Sequence, residues 1–332
     1  MSRFYFRSFN GFFSQFFWLA TSRFNKIWNA YGMLLIFAVI FISACLFIPN
    51  FATVINMKGL GLAISMSGMV ACGMLFCLAA GEIDLSVASV IACAGVVTAT
   101  VINLTQSVTL GVLSGVSLGA LIGLINGFVI AKLKINSLIT TLASMQIARG
   151  FGYIISDGKA VGITKEEFFE LGYQNLFGIP LPILFTVICV AIFGFLLSKT
   201  TYGRNTLAIG GNEEAARLAG INVDRTKLII FVVSGAISAL AGVILAARMT
   251  SGQPMTSIGF ELVAISACVL GGVSLNGGVA KISFIIAGVL ILGTIENAMN
   301  LLNISPFSQY VVRGLILLIA VIFDRYKQKL IK

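Results

Sequence analysis

Few residues in this 332-residue chain carry chemistry, and their placement restricts what that chemistry is. There is no histidine, which removes any Ser-His or Cys-His nucleophile and the commonest proton relay and metal ligand. Cys45, Cys72, Cys77, Cys93, Cys189 and Cys268 all lie in apolar runs without zinc or disulfide spacing, so they read as small buried hydrophobes. Gly158-Lys159-Ala160 lacks the upstream Gly and the following Ser/Thr of a phosphate loop. No metal and no cofactor is expected. Two polar stripes remain. Ser137, Thr140, Thr141 and Ser144 share one helical face, and Glu296, Asn297, Asn300 and Asn303 share another. Unpaired polar groups are costly in lipid, so these faces must meet protein or water. A hydroxyl-rich solute such as a sugar suits such a lining, and hydrogen bonding between helices explains it equally well. Gln253 lies in the polar, turn-prone stretch 250–257, which is either a gate or a plain connection. Glu296 and Arg313 fall in neighbouring spans and are expected to pair. A titrating role for Glu296 or Glu261 is the rival reading.

The longest polar stretch, 199–227, reads KTTYGRNTLAIGGNEEAARLAGINVDRTK. Asn212 is a good N-cap, Glu213 and Glu214 suit the positive end of a helix, and Gly220 suits a left-handed end. The spacing predicts a short helix over 213–219. Ala215, Ala216 and Ala219 leave it a face without bulk, which permits close docking in a groove. An ordinary capped loop helix is the plainer alternative.

These residues are held by a chain that is 58% hydrophobic and only 10% charged. That balance defines an all-α polytopic membrane protein. Apolar runs predict ten spans: 31–48, 60–79, 87–104, 108–131, 136–156, 181–198, 228–247, 261–274, 282–302 and 308–323. The eighth is short and either spans or re-enters. With residues 1–30 placed in the cytoplasm, sixteen of the 22 basic residues fall inside and four outside (Lys58, Lys159, Lys165 and Arg248), with Arg149 and Arg313 within helices. The net charge of +10 therefore reports orientation and not a nucleic-acid partner. Both termini and the 199–227 loop are expected in the cytoplasm.

Three units follow: an amphipathic interfacial segment over 1–30, a transmembrane domain over 31–323 and a tail over 324–332. In the first, Tyr5, Phe9, Phe12, Phe13, Phe16, Phe17, Ala20 and Phe24 recur at helical spacing. Ser144-Met145-Gln146-Ile147-Ala148-Arg149-Gly150 and Ser308-Gln309-Tyr310-Val311-Val312-Arg313-Gly314 both run Ser, Gln, Arg-Gly. With five spans per half, this suggests an inverted repeat. Gly111, Gly115, Gly119, Gly123 and Gly127 make a smooth stripe for close helix approach. Glu82 and Asp84 are placed to cap the helix after them. Thr164-Lys165-Glu166-Glu167, with Gly172 beyond, predicts a small external helix within 157–180.

Beyond residue 30 the chain resembles the ribose-type sugar permeases of ATP-driven (ABC) importers. The resemblance is carried by GEIDLSVASVIACAG (81–95), INGFVIAKLKINSLITTLASMQIARG (125–150), GRNTLAIGGNEEAARLAG (203–220), MTSGQPMTSIGFEL (249–262), VLGGVSLNGG (269–278) and NLLNISPFSQYVVRG (300–314). Glu214-Ala215-Ala216 followed by Gly220 matches the pattern that marks the ATPase-docking helix in such permeases. Ile230 falls where the full motif has Ile, while Val232 and Val233 replace its Leu-Pro. The resemblance implies a bacterial inner-membrane transport subunit that is not itself an enzyme. It implies a separate ATPase subunit, a periplasmic sugar-binding protein and a second permease copy. L-arabinose is the expected sugar on closeness of wording, with ribose, xylose or galactose as alternatives. A proton- or ion-coupled carrier and a passive channel are the rival classes.

Overall fold

The computed structural model describes residues 32–331, so the aromatic segment over 1–30 lies outside the described residues. The principal helices are α1 (Gly32–Phe47), α2 (Val54–Ala79), α3 (Val87–Thr105), α4 (Val108–Ala131), α5 (Ser137–Ser156) and α6 (Glu170–Tyr173). They continue with α7 (Leu181–Lys199), α8 (Thr201–Gly211), α9 (Glu213–Leu218), α10 (Val223–Met249), α11 (Phe260–Gly271), α12 (Ile282–Leu301) and α13 (Pro306–Ile331). Each of the ten expected spans is a helix. Seven are long and apolar enough to cross a membrane, and α1, α11 and the apolar part of α13 are shorter. At 1.5 Å per residue, the twelve residues of α11 cover about 18 Å, well under a hydrocarbon core.

Boundaries moved where caps or packing overruled hydropathy. α2 starts at Val54 because the Thr53 hydroxyl accepts from the Asn56 N–H, carrying the helix through polar Asn56 and Lys58. α13 continues to Ile331, so the expected tail is mostly helix. α8 was not expected at all. Its glycines argue against a helix, yet Gly210 is there because a side chain would strike the Ala79 carbonyl and the Gly278 amide. The predicted external helix is a turn over Glu166–Phe169 followed by α6. Thr164 does not cap it, since its N–H and hydroxyl both bind the Asn103 side-chain oxygen. Gly172 does not end it either: it is buried against the backbone of Ala247 and Arg248 at the end of α10. Among the described residues the only strands are two-residue pairs. β1 (Val161–Gly162) lies antiparallel to β4 (Ser251–Gly252), and β2 (Asn175–Leu176) to β3 (Ile179–Pro180).

α2 is the axis of the bundle. Its most apolar stretch is 78% buried, against 22% for α4 and for α7, which lie at the periphery. α2 packs on α10, α11 and α12, while α10 packs on α2, α3 and α4. α3 contacts α4 and α5, and α11 contacts α12 and α13. Exchanging α2–α5 with α10–α13 maps these pairs onto one another, four helices per half. The two Ser-Gln-Arg-Gly stretches fall on the corresponding helices α5 and α13.

The glycine stripe of α4 is wholly buried. A side chain at Gly111 or Gly115 would strike Ile102 or Thr98 of α3. One at Gly119 would strike Ala239 and the Gly235 carbonyl of α10, and one at Gly123 the Phe231 carbonyl. The backbones of α4 and α10 therefore touch. Gly119→Leu is expected to destabilise the fold by about 1–3 kcal/mol or more, read as a lower melting temperature in detergent; an unchanged transition would remove the stripe's structural role.

Candidate functional site

α9 is built by its cap. The Asn212 side-chain oxygen accepts from the Ala215 N–H at 2.9 Å, and Gly220, at φ +84°, ends the turn in the left-handed region. Ala219 lies just past the helix, not within it as expected. Ala216 is not on the offered face. It is buried against Ile209 of α8 and Val223 of α10, and it seats α9 on the bundle. Glu214, Ala215, Arg217, Leu218 and Ala219 are the exposed ones, with Leu218 85% exposed.

Charges brace this helix. Lys227 of α10 reaches Glu213 and Glu82, each at 2.6 Å, and is almost fully buried. Asp224 accepts from Lys134 at 2.8 Å and lies 3.2 Å from Arg217 and 3.4 Å from Lys132. Arg217 also meets Glu213 one turn back at 3.3 Å. Partial burial pushes the Glu213 carboxyl up, but the hydrogen bond and charge of Lys227, with help from Arg217 and Lys134, outweigh it and hold the carboxyl below its ordinary value.

The turn before α3 sits beside this brace. The Asp84 carboxylate is fully buried and accepts from the Ser86 N–H at 3.0 Å and the Ser234 hydroxyl of α10 at 2.8 Å. Burial nevertheless pushes its carboxyl up. Asn126 of α4 donates to the Ser86 hydroxyl at 3.1 Å. Glu82 does not cap α3, as expected, but turns to Lys227.

The α5 stripe holds the same turn. Ser137 accepts from the Ile83 N–H at 3.4 Å, and Thr141 donates to the Ile83 carbonyl at 3.3 Å and to its own helix at Ser137. Thr140 and Ser144 bond backward along α5, to the carbonyls of Asn136 and Thr141. The stripe is thus engaged with protein, and none of its four residues lines either of the two cavities described next.

Those adjoining cavities, of about 60 and about 120 Å³, share Val263, Leu292 and Glu296. Asn297 and Asn300 line the smaller, Tyr310 and Arg313 the larger. Glu296 and Arg313 pair at 2.8 Å as expected. Asn297 exchanges hydrogen bonds with Asn56 of α2 at 2.8 and 2.9 Å, and Asn300 accepts from Gln309 at 2.9 Å. Gln253 lines neither cavity; it donates to Ser251 beside β4.

Three partnerships are not legible in the sequence: Lys227 with Glu82, Asp84 with Ser234, and Arg149 with the 250–257 connection. Arg149 donates to the carbonyls of Pro254 and Thr256 at 2.7 and 2.8 Å and to Ser89 at 3.2 Å. The available signal was a set of charges within or flanking apolar spans, each needing a partner.

The fold and site describe a helical membrane protein with a braced polar helix at one end. A family model described as the permease component of branched-chain amino acid transport systems matches residues 56–321, and the chain belongs to that family. It is 76% identical over 306 residues to the L-arabinose transport system permease protein AraH of Escherichia coli (strain K12), covering 92% of this chain and 93% of the relative. Over 300 residues it is 51% identical to the L-arabinose ABC transporter permease protein AraH of Azospirillum brasilense, covering 90% and 88%. The ribose import permease protein RbsC of Bacillus subtilis (strain 168) is 40% identical over 306 residues, 92% of this chain and 95% of the relative.

The folded Glu213 carboxyl titrates below its unfolded counterpart, whose ordinary value is 4.5. Its contribution to holding α9 is present above that value and is lost as pH falls through the lower folded one. Amide hydrogen exchange, corrected for intrinsic rates, should therefore show α9 loosening between pH 5 and pH 3 (roughly the range spanning both states) while α2 stays protected. Equal protection of α9 at both ends of that range would contradict the brace.

Proposed function

We propose that this chain is the membrane-spanning subunit of an ATP-driven importer that carries L-arabinose across the bacterial inner membrane. A periplasmic binding protein delivers the sugar, two permease copies enclose one path, and a separate ATPase subunit docks on α9. The observation that carries the reading is α9 itself: a capped, braced helix whose exposed residues are Glu214, Ala215, Arg217, Leu218 and Ala219. A motor that pushes on the permease needs a short rigid element of this kind. The orientation, with both termini and α9 cytoplasmic, rests on the excess of basic residues at that end. The choice of L-arabinose rests on two relatives named for that sugar at 76% and 51% identity, against 40% for one named for ribose.

Uptake of labelled L-arabinose in a strain lacking other sugar importers, competed with ribose, xylose and galactose, tests the cargo; preferential competition by any of those three would reassign it. In proteoliposomes, uptake should require ATP and the partner ATPase. Uptake by this chain alone on a proton or sodium gradient would make it a secondary carrier. Glu214→Lys reverses an exposed charge on the docking face and should weaken ATPase co-purification about tenfold with the permease still folded. Wild-type capture of the ATPase by that variant would count against α9 as the docking element.

A further inference from the structure

α9 touches the bundle through a small apolar seat, Ala216 on Ile209 and Val223, a contact without direction. Of its charged links, Arg217–Asp224 at 3.2 Å lies near the surface, and the one through Lys227 is buried. Lys227 lies between two carboxylates, 2.6 Å from Glu213 of α9 and 2.6 Å from Glu82 of the turn before α3. The side chains of Lys227 and Glu82 are 9% and 13% exposed, so water does little to screen the pair. Removing one member of such a bridge leaves an uncompensated charge in a poorly hydrated site.

The far end of the bridge is unusually well tied. Next to Glu82, both backbone groups of Ile83 are held by Ser137 and Thr141 of α5. Asp84 holds Ser234 of α10, and Ser86, the residue before α3, is held by Asn126 of α4. Four helices of the bundle thus converge on five residues. A displacement of Glu82 is felt by α3, α4, α5 and α10 together.

We infer that the Glu213–Lys227–Glu82 bridge transmits movement of α9 to the 82–86 turn, making Lys227 and Glu82 positioning residues for transport and not for partner docking. This rests on the proposed function and adds to it: docking belongs to the exposed face of α9, transmission to the buried bridge. An ATPase that grips α9 while the bridge is cut is expected to hydrolyse ATP without moving sugar.

The test uses the complete importer in proteoliposomes and reads L-arabinose moved per ATP hydrolysed, with ATPase co-purification alongside. Glu82→Gln should keep co-purification at the wild-type level while the transport-to-hydrolysis ratio falls about tenfold. Lys227→Arg, which still spans both carboxylates, should retain most of the ratio. A merely structural bridge would lower the amount of folded importer and leave the ratio of the surviving molecules unchanged, which would overturn the inference. If Glu82→Gln does not accumulate, Glu213→Gln cuts the same bridge from its half-exposed end, and a wild-type ratio there overturns it equally. ATP-independent uptake by the wild-type importer would instead overturn the proposed function along with the bridge.

Discussion

The constraint on which the molecule rests is backbone contact between α4 and α10. Between helices in hydrocarbon there is no hydrophobic gain, because lipid tails are as apolar as leucine. Helices are held by dispersion at close range and by hydrogen bonds. Glycine at every fourth position of α4 removes the side chains that would keep the axes apart, and Gly235 of α10 answers Gly119 from the other side. The same device seats α11 on α12, where a side chain at Gly288 would strike the Ala267 carbonyl and one at Gly271 the Phe284 carbonyl. With α10 fixed, Asp224, Lys227 and Ser234 are fixed too, and these are the residues that reach α9 and the turn before α3.

Polar groups in this fold mostly hold protein to protein. Thr141, Ser137, Ser234 and Asn126 all converge on the 82–86 turn, and Asn56 and Asn297 bond each other across α2 and α12. A polar side chain facing lipid would be costly, and a partner inside the bundle offsets that cost. Hydrogen bonding between helices therefore accounts for Ser137 and Thr141. On α12 the polar stripe does both things, since Glu296 and Asn297 are paired and also border cavities.

Aromatic packing joins this frame to the polar end. Phe76 of α2 stacks on Tyr202 of α8 at 5.6 Å and meets Phe193 of α7 edge-on at 5.7 Å. α8 is thereby clamped from one side by rings and from the other by Gly210 on the Ala79 carbonyl. α9 follows α8 with only Asn212 between them, so the exposed helix stands on a rigid base while its own apolar seat stays small.

The apolar spans, the glycine face of α4, the capped helix after Asn212 and the Glu296–Arg313 pair are legible along the chain. The first three are set by spacing along one helix or by local capping, and the pair by the cost of leaving two opposite charges without partners in neighbouring spans. α8 is not legible in this way, because its glycines lower helix propensity and Gly210 answers to a backbone 131 residues upstream, at Ala79. Packing of distant segments turns Ala216 inward, takes Thr164 to Asn103 and draws Glu82 from the cap of α3 to Lys227. Ala216 and Glu82 largely leave water and take the partners that packing brings within reach, while exposed Thr164 takes the Asn103 oxygen; each choice depends on elements that meet only after the chain has packed.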